Sequence, residues 1–267
     1  MRQVWFSSEK KLSVVLFSLI VISMLLAALA AGMLRERPES YIVLRVDDIQ
    51  DYAFRDTQLF LLNYSVEADL TMSLGVISGM FGEDQQVLEA TRSAVKSGSE
   101  VGIHGWYHED LAGLTLSEQR DILFEAKNRI RQLLGVDSTL LIPPMFSFNL
   151  DTISAMQKES CSIISTCTDY DEPIFNAEVI NIPATVELSI LSGNTWCLKS
   201  ANVVLWEVEK SFELYGYAAI VTHPQEFFKD GKLDQTAAIS LIALIEKLRE
   251  TYNFTTFENI ARQKTAF

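Results

Sequence analysis

YIVLRVDD, residues 41–48, is a short apolar, β-branched run that ends in two adjacent carboxylates, Asp47 and Asp48. Such a run suits a buried strand with its polar groups gathered at the C-terminal end. Downstream, residues 70–77 (LTMSLGVI) give a second predicted strand, residues 83–97 a helix closed by Gly98, and residues 100–103 a third strand. Thr115-Leu116-Ser117-Glu118 predicts a capping box. Ile122, Leu123, Ala126, Ile130, Leu133 and Leu134 then lay one apolar stripe along a helix that stops at Gly135. Further strands are predicted near residues 139–142, 162–166, 179–182 and 217–221, followed by a helix over 235–250 and a last strand at 254–257. Strands alternating with helices predict βα units on a mainly parallel sheet, either a barrel or a doubly wound sheet. In both, chemistry sits at the C-terminal ends of the strands.

Upstream, residues 12–34 (LSVVLFSLIVISMLLAALAAGML) hold no charged residue and are long enough to cross a membrane. Arg2, Lys10 and Lys11 against Glu9 predict a cytoplasmic N-terminus of residues 1–11 and a domain over 38–267 outside the cytoplasm. Ala28-Leu29-Ala30 also fits a signal-peptidase site, which would release that domain; the length of the apolar run favours an anchor. The chain of 267 residues carries a net charge of −13 and shows no cluster of Lys and Arg, which argues against a nucleic-acid partner. Three cysteines, Cys161, Cys167 and Cys197, match no metal motif and leave room for one disulfide or for three buried thiols.

The chain has three histidines, His104, His108 and His223, each just after a predicted strand. His104 and His108 are four residues apart, a spacing that on a helix turns both imidazoles to one point. Two adjacent carboxylates repel unless a cation or a proton-transfer role compensates them. One carboxylate with two imidazoles leaves a coordination position open, as in a catalytic zinc site.

These pieces together resemble the polysaccharide deacetylases, the NodB-homology group that includes family 4 carbohydrate esterases. Their Thr-Phe-Asp-Asp-Gly strand end is similar to Arg45-Val46-Asp47-Asp48-Ile49. Their His-Ser/Thr-x-x-His resembles His104-Gly105-Trp106-Tyr107-His108, and their final Leu-x-His resembles Val221-Thr222-His223. The resemblance implies a distorted parallel (β/α) barrel that removes N-acetyl groups from a cell-surface or extracellular polysaccharide. It implies Asp47 as general base, His223 as general acid, and Asp48, His104 and His108 as ligands of one divalent ion, with zinc suited to this borderline donor set.

Two motifs depart from the family. The third, Arg-x-Pro-x-Gly, is here Ile142-Pro143-Pro144-Met145-Phe146 and lacks the arginine that orients the base. Arg45 could replace it, or could point into the opposite layer. The fourth is reduced to Asp169-Tyr170-Asp171, which offers Asp169 or Asp171 as partner of the catalytic histidine. Trp106, Trp196 and Pro144 are candidate sugar contacts. The alternatives are a non-catalytic, metal-containing glycan-binding domain and a hydrolase of small non-sugar amides.

Overall fold

The computed structural model describes residues 40–168, 178–193 and 195–265. The expected membrane span at 12–34 and the pair Asp169 and Asp171 lie outside the described residues. Among the described residues, no helix is long and apolar enough to cross a membrane.

Strand β1 is Tyr41–Ile49, with residues 42–47 all buried. Successive strand side chains point to opposite faces, and the two sides of β1 meet different surroundings. Ile42, Leu44 and Val46 join the main core, whereas Val43 joins an inner cluster with Leu140, Ile142, Ile163, Tyr217 and Ala219. Arg45 and Asp47 continue the inner row of Val43, so the arginine shares a face with the base candidate. That settles the choice left open by the sequence.

Beyond β1, the chain gives β2 (Ser73–Val76), β3 (Glu100–Ile103), β4 (Leu140–Leu141), β5 (Ile163–Ile164), β6 (Ile180–Asn181) and β7 (Val186–Glu187). A hairpin of β8 (Ser189–Ser192) and β9 (Thr195–Leu198) precedes β10 (Ala218–Thr222). A second hairpin, β11 (Phe228–Lys229) with β12 (Lys232–Leu233), and β13 (Asn253–Thr255) follow. The main sheet runs β6-β5-β4-β3-β2-β1-β10-β7, with β13 paired to the start of β1, and its ladders are all parallel. No ladder joins β6 to β7 among the described residues. The expected barrel is therefore a half-barrel. Strands β4 to β7 are two residues long and offer too few ladder bonds to carry the sheet round to closure.

The helices are α1 (Arg55–Glu67), α2 (Gln85–Lys96), α3 (Leu116–Leu134), α4 (Leu150–Lys158), α5 (Ala201–Tyr215), α6 (Gln235–Arg249) and α7 (Phe257–Thr265). The capping box at Thr115 and Glu118 forms, and Gly135 ends α3 at φ +73. Residues 254–257 were expected to be strand throughout, but β13 stops at Thr255 and Phe257 opens α7. Phe257, Ile260 and Ala261 of that helix fill the inner cluster. All three cysteines are free; Cys161 is buried, Cys167 half-buried and Cys197 exposed.

Candidate metal centre and acid–base site

The C-terminal end of β1 carries a bulge. Val46 pairs with Leu74 and Ile49 with Val76, so β1 fits one more residue than β2 into the same interval. Asp48 takes up the extra residue at φ +59, a conformation uncommon outside glycine. Adjacent strand residues ordinarily face opposite ways, but with the bulge Asp47 and Asp48 line one cleft. Arg45, His104, His108, Pro143, Met145, Phe146, His223 and Gln225 complete its walls.

Asp47 is held by Arg45. The guanidinium Nε donates to Asp47 Oδ1 at 2.8 Å and Nη2 to Oδ2 at 2.5 Å, while Nη1 reaches across the half-barrel to the Ser165 carbonyl at 3.0 Å. Both side chains are buried, at 1% and 2% exposure, so the pair is shielded from water and salt. Burial pushes the Asp47 carboxyl up. Arg45, His104 and His223 outweigh that push and hold it below its usual range. Space for this arrangement comes from Gly75 on β2, where a Cβ would lie 3.0 Å from Asp47 Oδ1.

His104 follows β3 directly. Its Nδ1 lies 2.8 Å from the Ile142 carbonyl, an acceptor only, so Nδ1 carries the proton and the Nε2 lone pair faces Asp48. His104 and His108 do not share a helix, as their spacing suggested. The loop between them turns at Gly105 (φ +76) and brings His108 in at φ +67, with the two rings 4.9 Å apart. Glu109 fixes that loop by accepting the N–H groups of Trp106 and Tyr107.

The donor set fits a metal ion. Asp48 Oδ1 is buried without a hydrogen-bond partner, yet lies 3.2 Å from His104 Nε2 and 3.4 Å from His108 Nε2. Ligand atoms about 2.1 Å from one tetrahedral ion stand about 3.4 Å apart. Asp48 Oδ2 is fixed by Gln225 Nε2 at 3.0 Å. Burial opposes the Asp48 charge, but His104, His223 and Gln225 lower its pKa on balance. Burial, then the neighbouring His104, lowers that of His108 and favours the neutral imidazole that a metal requires.

His223 lies just beyond β10 with Nε2 4.0 Å from Asp47 Oδ2. Its other nitrogen, Nδ1, is 2.9 Å from Glu226 Oε1, a residue the sequence reading missed, as it missed Gln225. The Pro224 that follows His223 opens a turn that returns Gln225 to the cleft and Glu226 to the His223 ring, and this was the available signal. Two candidate sugar contacts are placed differently from expectation. Trp106 packs over Gly79, where a Cβ would come within 2.6 Å of the indole, and of the two buried prolines Pro143, not Pro144, lines the cleft. Trp196 lies over the His223 ring, with centroids 6.1 Å apart at 25°. Phe146 is shared with a larger neighbouring cleft of about 380 Å³, lined also by Glu187, Trp206, Lys210 and Tyr215.

Residues 35–161 match the family described as Polysaccharide deacetylase. The chain is 26% identical over 106 residues to the Peptidoglycan deacetylase-like protein FGM2 of Gibberella zeae, over 40% of this chain and 31% of that protein. The match thus spans about a third of the length of that curated relative. A Mycobacterium smegmatis structure described as a polysaccharide deacetylase matches with a TM-score of 0.66 at 17% identity, over 87% of this chain and 92% of that one. A CE4 family pseudoenzyme from Bacillus anthracis matches with a TM-score of 0.57 at 15% identity, over 84% of this chain and 66% of that one. At such identities the structural likeness concerns the fold alone.

Proposed function

From a chain that carries the polysaccharide deacetylase region at residues 35–161, we propose a hydrolase that uses one divalent ion, zinc, to remove N-acetyl groups from a cell-surface or extracellular polysaccharide. The observation that carries this reading is the convergence of Asp48, His104 and His108, whose ligand atoms lie within 4.8 Å of one another, in a cleft that Asp47 and His223 also line. Asp48, His104 and His108 would hold the ion, which when bound supplies Lewis-acid activation of water and of the acyl oxygen. Asp47, kept ionised by Arg45, takes a proton from the water that attacks the acyl carbon. His223 gives a proton to the departing nitrogen as the C–N bond breaks and the bonding pair leaves with nitrogen. Burial works against the His223 imidazolium, but Glu226, Asp47 and Asp48 together raise its pKa above the ordinary value, which keeps the acid form populated near neutral pH.

The neighbouring cleft reached through Phe146, with Trp206 and Tyr215 exposed to it, favours an extended glycan over a small amide. The charge flanks of residues 12–34 favour an anchored domain outside the cytoplasm. Loss of the third-motif arginine favours a second reading, a metal-containing glycan-binding domain without turnover. Arg45 answers that loss by supplying the guanidinium from β1 itself. The deciding experiment is acetate release from a panel of N-acetylated and O-acetylated glycans and small acetamides, with and without chelator. Release from N-acetyl glycans that chelator abolishes supports the deacetylase. Release only from small amides, or none from any substrate by metal-loaded protein, supports the alternatives.

A further inference from the structure

Strand β10 ends at Thr222, and Pro224 opens a 3₁₀ turn over Pro224–Phe227 in which Glu226 N–H donates to the His223 carbonyl at 3.1 Å. His223 itself is extended just before the turn, and the turn brings the Glu226 side chain back to the Nδ1 edge of the His223 ring. Glu226 Oε1 lies 2.9 Å from His223 Nδ1, and Oε2 accepts from Thr222 Oγ1 at 2.7 Å. The Glu226 side chain is 2% exposed. A carboxylate only accepts, so the proton of this contact sits on Nδ1, and His223 faces Asp47 through Nε2. A ring nitrogen carries one proton. Once Nδ1 is engaged with Glu226, it has none left for a carboxylate from another segment, such as Asp169 or Asp171.

We infer that Glu226 is the positioning residue of His223, taking the part that the family pattern gives to an aspartate on a separate segment. The inference rests on the deacetylase reading for the use of His223 as an acid, but the hydrogen bond can be tested apart from it. Glu226 holds the Nδ1–H form, aims Nε2 at the cleft and favours the imidazolium. Nε2 then loses its proton to the leaving nitrogen while Nδ1–H stays with Glu226.

With only three histidines in the chain, long-range ¹⁵N–¹H spectra of the zinc-loaded protein at alkaline pH can resolve the His223 tautomer. The wild type and Glu226→Gln, which keeps an acceptor, should show Nδ1–H, and Glu226→Ala should revert to the Nε2–H form that free imidazole side chains prefer. On an N-acetyl glycan, kcat should fall about 10-fold in Glu226→Gln and about 10²-fold in Glu226→Ala, with KM and metal content unchanged. An unchanged tautomer and kcat in Glu226→Ala would overturn the inference. So would the same loss in Asp169→Asn or Asp171→Asn, and so would metal loss in Glu226→Gln, which would make Glu226 a support of the metal centre. Where the wild type releases no acetate, the deacetylase reading fails and the tautomer alone decides the role of Glu226.

Discussion

Carboxylates are withdrawn from water at both ends of the parallel strands, and the two ends treat them in opposite ways. At the C-terminal end, Asp47 meets the Arg45 guanidinium and its pKa is lowered. At the N-terminal end, Glu100 opens β3 and accepts from Ser73 Oγ at 2.8 Å and from the backbone N–H groups of Phe257 and Glu258, at 3.0 and 3.1 Å, where α7 begins. Those donors are neutral. Burial prevails over them and pushes the Glu100 carboxyl up to about 7. A helix N-terminus and three hydrogen bonds from neutral donors do not keep a buried carboxylate strongly acidic, whereas the Arg45 guanidinium, helped by His104 and His223, does. The lower end uses its carboxylate to seat α7 under the half-barrel. The upper end keeps its pair ionised, as the proposed proton transfer and cation binding would both need.

Removing the cation should produce the largest change. Arg45→Met should destabilise the domain by about 3–5 kcal/mol in denaturant melts at neutral pH, because it leaves Asp47 buried and unpaired. Adding Asp47→Asn should recover much of that loss. In the wild type the contribution of this pair is present above the unfolded carboxylate range and is lost as pH falls through the lowered folded value. If Arg45→Met melts like the wild type, the two ends do not differ in the way described.

The lower end should respond with the opposite sign. The raised pKa of Glu100 gives stability that is full below the unfolded carboxylate value and is lost as pH rises through about 7. Melts of Glu100→Gln between pH 5 and 8 should therefore lack a decline of at most roughly 3 kcal/mol that the wild type shows. A wild-type profile already flat across that window would remove the contrast. The smallest change is expected at Gln225, which fixes Asp48 from outside the ligand set. Gln225→Ala should weaken zinc affinity about 10–100-fold in a competition titration while the fold is kept. Unchanged affinity would mean that Asp48 needs no such support.

Much of the upper end could be read in the chain. The strand YIVLRVDD, the position of His104 and His223 just beyond strand ends and the capping box at Thr115 each reflect local periodicity or residue chemistry, and each lies where the sequence placed it. The lower end and the positioning contacts were hidden for physical reasons. Helix α1 buries Thr57, Gln58 and Ser65 on its inner face, so it shows little apolar stripe. Helix α7 begins in a β-branched stretch, and the Glu100 carboxylate that seats its first turn lies more than 150 residues away in sequence. The Arg45 contact depends on strand alternation that brings it onto the face of Asp47, while its Ser165 partner depends on the curl of the sheet. The loop joining His104 to His108 reaches by positive φ angles the convergence that the spacing suggested for a helix.

The central claim is that Asp48, His104 and His108 bind the ion while His223 moves a proton without binding it. Metal content and acetate release, measured side by side on His223→Ala, test it most directly. Full metal occupancy with acetate release lowered by at least about 10²-fold is the expected result. Loss of the metal from His223→Ala would make His223 a ligand and contradict the account, as would acetate release at the wild-type rate.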